Sequence, residues 1–89
     1  MKKKTTLVAK YYSKDKMCKR GILTERQFFV FLHWNLNYTH EEIGEGMHLG
    51  KETSDKTLQK VYRKLGVQSE KTAVIEAFVL RIFVRKDFI

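Results

Sequence analysis

Thr39 to Val67 read "THEEIGEGMHLGKETSDKTLQKVYRKLGV", and this stretch holds two helix starts, Thr39 and Gly50, close together. Thr39 with Glu42 forms a capping box, in which the threonine hydroxyl and the glutamate three residues on satisfy free amides of the first turn. The helix it opens points Ile43 and Met47 inward and is soon interrupted by His48, Leu49 and Gly50. A helix so short does not hold itself together in isolation and must lean on a neighbour. Gly50 serves as N-cap of the next helix, which ends in Arg63, Lys64 and Leu65 before Gly66, a residue suited to a left-handed C-cap. At a helical period Ser54, Leu58, Val61 and Leu65 form one buried stripe, and Glu52, Lys56, Gln59, Lys60 and Arg63 occupy the opposite face. Two helices joined by a tight turn, the second carrying long polar side chains outward, make a helix-turn-helix, a geometry that places a helix in a DNA major groove. Periodicity alone favours an ordinary helical hairpin with solvated charges.

Outward from this core the same punctuation continues. Upstream, Thr24 with Gln27 is another capping box, opening a helix that runs to about Trp34 and turns Phe28, Phe31, Leu32 and Asn35 inward; Asn37 tolerates the left-handed conformation that ends it. Downstream, Ser69 caps a fourth helix expected to reach at least Ile82. Ala73, Ala77, Leu80 and Val84 would form one apolar stripe of that helix, and Ile75, Phe78, Val79 and Ile82 another on roughly the opposite side. No sustained alternation and no Asn-Gly or Asp-Gly turn argues for strands. The expected fold is all-α with four helices.

The chain has 89 residues and a formal charge of +8, one small domain near the size where a single core is marginally sufficient. Charge is unevenly placed: in residues 1–20 eight basic side chains stand against Asp15, giving +7, and the rest of the chain carries +1. Residues 1–20 thus read as a basic extension, able to form one short amphipathic helix through Leu7, Val8, Tyr11 and Tyr12, and residues 21–89 as the domain. A basic segment on a nearly neutral body suits a polyanion such as nucleic acid or an anionic surface, and it equally suits a solubilising tail. On duplex DNA it would add affinity by releasing counterions without reading sequence. Cys18 is the only cysteine, which excludes an intrachain disulfide, and neither it nor His33, His40 and His48 has the short spacing of a zinc site. Residues 73–84, the longest apolar stretch, are broken by Glu76 and Arg81 and too short to span a bilayer. The N-terminal lysines are not followed by the apolar core of a signal peptide. A cytoplasmic protein without cofactor, metal or small-molecule site is expected. No nucleophile and base, phosphate loop or metal motif can be placed, so no enzymatic activity is expected.

"LTERQ" at 23–27, "THEEIG" at 39–44, Thr53, Val61, "RKLGV" at 63–67 and Ala73 together resemble the LuxR/GerE family, the DNA-binding domain also found in response regulators of the NarL kind. The match is gapless from Leu23 to about Ala77. The resemblance implies a four-helix domain in which helices 2 and 3 form the helix-turn-helix and helix 4 mediates homodimerisation, here through Ile75, Phe78, Val79 and Ile82. It places base contacts to double-stranded DNA on Asp55, Lys56 and Gln59. Phosphate contacts fall on Thr39, His40, Lys51, Thr53, Lys60 and Arg63. The implied function is that of a sequence-specific transcription regulator.

The chain departs from the family where a lysine is common at Asp55, a valine at Ser54, a histidine at Thr57 and a glutamate at Phe29. A carboxylate at Asp55 repels phosphates unless it accepts from a cytosine amino group. Glu41, Glu42 and Glu45 make the bracing helix acidic. The alternative reading is therefore a degenerate helix-turn-helix that serves as a protein-interaction module, docking through Phe28, Phe29 and helix 4.

Overall fold

A computed structural model of the chain describes Met17 and residues 22–88. Among these residues the architecture is all-helical: α1 (Glu25–Asn35), α2 (His40–Met47), α3 (Lys51–Leu65) and α4 (Glu70–Val79), followed by a 3₁₀ turn, Arg85–Phe88. An isolated antiparallel bridge joins Met17 to Thr24. The short helix expected around Leu7 to Tyr12 lies outside the described residues.

Each helix starts where its capping residues place it. The Thr24 hydroxyl accepts from the Gln27 amide at 3.2 Å while Gln27 Oε1 accepts from the Thr24 amide at 3.0 Å. Thr39 and Glu42 repeat the arrangement at 3.1 and 2.9 Å. Ser69 caps α4 by accepting from the Thr72 amide. Asn37 and Gly66 take the left-handed conformations expected of them, with φ 70° and 68°.

α3 is the central element, lying against α1, α2 and α4. Its stripe of Ser54, Leu58, Val61 and Leu65 is buried, together with Thr57 and Tyr62. α1 contributes Phe28, Val30, Phe31 and His33 to the interior, whereas Leu32 and Asn35, expected inward, are only half-buried; the buried face is shifted because α2, α3 and the C-terminal segment enclose it. Phe28 is buried, as its helical spacing implies and contrary to the docking role that the interaction-module alternative assigns it, and lies edge-on to Phe83 with ring centroids 6.0 Å apart. Lys64 ties α3 back to the start of α1, donating to Gln27 Oε1 at 2.8 Å and to the Ile22 carbonyl at 3.3 Å.

α4 is shorter than expected. It stops at Val79, Arg81 adopts a left-handed φ of 63°, and the amides of Ile82 and Phe83 turn back to the Ala77 carbonyl at 2.8 and 3.2 Å. The cause is burial: Ile82 and Phe83 are 0% and 1% exposed, and a continued helix would have held Ile82 on the same outward side as Ile75 and Val79. Placing two large apolar side chains in the core outweighs the left-handed strain at Arg81, on the order of 1–2 kcal/mol. Ile82 is thus a core residue and drops out of the expected dimerisation stripe. In the other stripe Ala73 and Ala77 are buried as expected, whereas Leu80 is exposed and Val84 follows the reversal. Phe88 closes the end of the domain on Phe83 and Phe78, with centroids 5.2 and 5.6 Å away.

Candidate nucleic-acid interface

The link from α2 to α3 is three residues, His48, Leu49 and Gly50. His48 is left-handed with φ 57°, which reverses the chain, and the Leu49 amide returns to the Gly44 carbonyl at 2.8 Å. This tight link holds α2 under α3 and leaves one long face of α3 to solvent. Glu52, Thr53, Asp55, Lys56, Gln59, Lys60, Arg63 and Lys64 are all exposed there.

That face is divided. With ~100° per residue, Lys56, Lys60 and Arg63 follow one edge, and Glu52, Asp55 and Gln59 follow the edge that turns toward α4 and the start of α2. The three positions expected to read bases, Asp55, Lys56 and Gln59, therefore straddle the boundary between a basic and an acidic half. Lys60 and Arg63 lie in the basic half with Thr53, while Thr39 and Lys51 stand at the N-terminal ends of α2 and α3. Lys51 Nζ lies 3.7 Å from Glu41 Oε1, both exposed, a pair that contributes little.

His40 stands apart from the other expected phosphate contacts because both of its ring nitrogens face partners within the chain. Nδ1 is 2.9 Å from Ser54 Oγ, and Nε2 is 3.5 Å from Asp55 Oδ1. A neutral ring protonated on Nε2 accepts from the serine hydroxyl and turns its N–H toward the carboxylate. Ser54 is fully buried, and a buried hydroxyl without a partner is costly, so His40 is what lets a serine sit in the apolar stripe. Thr57, also buried, satisfies its hydroxyl on the Thr53 carbonyl at 2.7 Å.

On its other side His40 stacks on Trp34, with ring centroids 4.3 Å apart and planes inclined by 12°. Trp34 in turn donates from Nε1 to Glu70 Oε1 at 2.8 Å, joining the end of α1 to the first turn of α4, where a carboxylate also suits the helix dipole. These side chains wall a continuous groove of two adjoining cavities of about 580 and 440 Å³, with Trp34, His40, Lys51 and Glu70 common to both. Glu41 borders one cavity; Glu52, Asp55, Gln59 and Tyr62 border the other. Tyr62 is 9% exposed and its hydroxyl is buried with no hydrogen-bond partner. Burial, then the charges of Glu70 and Asp55, push this phenol up to about 12.

No spacing in the chain joins Trp34, Tyr62 and Glu70, which lie on three different helices. The only available signal was that Trp34 is the single tryptophan of the chain. Among the described residues no cluster of three or more histidine, cysteine, aspartate or glutamate side chains is arranged to hold a metal ion, and no helix is long and apolar enough to cross a membrane. Comparison with family models, with curated proteins and with solved structures yields no match.

Proposed function

We propose that the chain is a transcription regulator of the LuxR/GerE kind that binds double-stranded DNA through α3, as a homodimer joined across α4. The observation that carries this reading is the outward row of Lys56, Gln59, Lys60 and Arg63 on a helix braced from beneath by a short, capped α2 and a three-residue turn. In a major groove Lys56 can donate to guanine O6 and N7, and Gln59 can pair with adenine. Lys60 and Arg63 neutralise phosphates and set affinity without distinguishing sequences.

Dimerisation draws on Ile75, Phe78 and Val79, which are 59%, 42% and 67% exposed on one side of α4. Covering such a stripe with its own copy removes apolar area from water at ~25 cal/mol per Å², and a two-fold axis presents the same patch from both chains.

A second reading is favoured by the carboxylates on the same helix. Glu52 and Asp55 beside Glu70 and Glu41 repel a phosphate backbone, which suits a helix-turn-helix turned to protein recognition through α4. Titration of a labelled duplex of random sequence at about 50 and 200 mM salt separates the two. Binding that weakens steeply with salt supports the DNA reading. Absence of binding at the lower salt leaves the interaction module.

A further inference from the structure

His40 meets a hydroxyl, a carboxylate and an indole with three different parts of one ring. Nδ1 is 2.9 Å from the buried Ser54 hydroxyl, Nε2 is 3.5 Å from Asp55 Oδ1, and the ring face lies on Trp34. All three contacts accommodate a second proton on the ring. An imidazolium donates from both nitrogens: from Nε2 toward Asp55, now as a charged pair, and from Nδ1 to Ser54 Oγ. The serine proton then turns to the Gly50 carbonyl, the acceptor one turn back that a helical serine can use. The Trp34 face attracts a cation as well as it stacks a neutral ring. Side-chain exposure is 16% for His40 and 57% for Asp55, so the pair takes up protons from solvent while the ring stays held.

The charged groups that line the same two cavities come from every helix around the ring except α1, which presents the neutral Trp34 indole. Glu41 stands beside His40 on α2, Lys51, Glu52 and Asp55 come from α3, and Glu70 comes from α4. Two phenols, Tyr38 and Tyr62, complete the titratable set. Between about pH 8 and 5.5 ordinary carboxylates, lysines and phenols keep their charge state, and imidazole is the side chain that changes.

We propose that His40 is a proton switch for duplex binding. Neutral, it leaves Asp55 a full negative charge on the exposed face of α3, opposed to phosphates. Protonated, it offsets that charge and lets the duplex approach. The coupling rests on the DNA reading given above, whereas protonation of the ring does not. A polyanion favours the imidazolium, so by linkage the complex holds the proton more tightly than the free chain does. Affinity therefore rises as pH falls between the two titrations, by at most ~tenfold per pH unit for one proton, and is level on either side.

Trp34 is the only tryptophan, and an imidazolium in contact with an indole quenches its emission, so the intact chain reports its own switch. Emission without DNA and affinity for a random duplex at constant ionic strength are measured from about pH 8 to 5.5. The parent is compared with full-length His40→Gln and Asp55→Asn, with circular dichroism confirming intact helices. In the parent, emission should fall and affinity rise several-fold on acidification. His40→Gln, whose amide keeps a donor and an acceptor for Ser54, should show neither change, although His33 and His48 remain. Asp55→Asn should move the emission midpoint to lower pH, because the ring loses its counter-charge; this readout stands even if His40→Gln does not fold. Steady emission in the parent, an equal fall in a folded His40→Gln, or an unmoved midpoint in Asp55→Asn would overturn the switch. Affinity independent of pH, in a chain that binds duplex and whose emission titrates, would overturn the coupling alone. Absence of duplex binding at every pH would overturn the DNA reading and the coupling together.

Discussion

Gly44 of α2 lies so close to Leu49 that a Cβ built on it would stand 2.5 Å from the Leu49 carbonyl oxygen. The Leu49 amide meanwhile donates to the Gly44 carbonyl at 2.8 Å. The glycine is thus what allows the turn to fold back onto α2 and set the angle of α3. Alanine at this position gains ~1 kcal/mol in helix propensity, but the neighbour it meets is backbone and cannot rotate away. Gly44→Ala should therefore destabilise the domain, by about 1–3 kcal/mol net of that gain. Gly50→Ser, at an N-cap with room beside it, should be neutral or stabilising by roughly a few tenths. Urea denaturation of the two variants checks the contrast, and equal midpoints would mean the close approach does not constrain the turn.

If α3 reads DNA, its base-facing and phosphate-facing residues should respond differently to substitution. Lys56→Ala and Gln59→Ala should each cost about 1–3 kcal/mol at the preferred site and relax preference at one or two base pairs. Lys60→Ala should weaken all duplexes alike and lower the salt slope by about one. Binding isotherms on preferred and random duplexes measure both quantities. Parent-like binding by all three variants, with helices intact, removes α3 from the role of reader.

Asp55 is poised between His40 and the exposed face. Its carboxylate sits in an acidic edge with Glu52 and Glu70, where a negative charge opposes the approach of phosphates. Asp55→Asn should raise affinity for every duplex without changing the preferred sequence. A shifted preference at one base pair would instead identify Asp55 as an acceptor for a cytosine amino group.

The elements legible in the sequence were those governed by bonds three or four residues long. Thr24 with Gln27, Thr39 with Glu42, and Gly66 after Arg63 and Lys64 fix helix ends through local hydrogen bonds, and the α3 stripe follows from its own periodicity. The misplaced end of α4 has a tertiary cause. Arg81 carries no local sign of a left-handed residue, and its conformation follows from the burial of Ile82 and of Phe83, the latter against the Phe28 and Phe31 rings of α1. The exposed residues of α3 were legible one by one. The acidic groove beside them was not, because it joins Trp34 to Glu70 and His40 to Asp55 across helices, and no spacing in the chain encodes that meeting.

His33 makes the interior sensitive to acid. It is buried between Phe29 and Tyr38, with ring centroids 6.0 and 5.3 Å away, and its Nδ1 donates to the Phe29 carbonyl at 2.7 Å. Burial pulls its pKa below the ordinary 6.5, an effect the Phe29 hydrogen bond only partly opposes. The unfolded chain therefore takes up the proton first as pH falls. Stability should be unaffected by this group well above 6.5, decline as pH drops from there toward the folded value, and level off below it. Urea midpoints measured between about pH 8 and pH 5 should show the decline. His33→Gln, which keeps a donor but does not titrate, should flatten it; an equal decline in that variant would place the titrating group elsewhere.

The outward side of α4 and the reversal after it make opposite predictions for two residues that a longer helix would have put on one stripe. Val79 is 67% exposed and Ile82 fully buried. If α4 forms a homodimer interface, Val79→Glu places a like charge at the contact of two copies, so sedimentation should show a monomer where the parent is a dimer, with an unchanged helical spectrum. Ile82→Glu should instead unfold the chain whatever its assembly, because it forces an unpaired carboxylate into the core beside Phe83, at a cost of several kcal/mol. A folded Ile82→Glu that merely loses the dimer would return Ile82 to the interface and restore the longer helix. A parent that stays monomeric at high concentration would leave Ile75, Phe78 and Val79 to a partner other than a second copy.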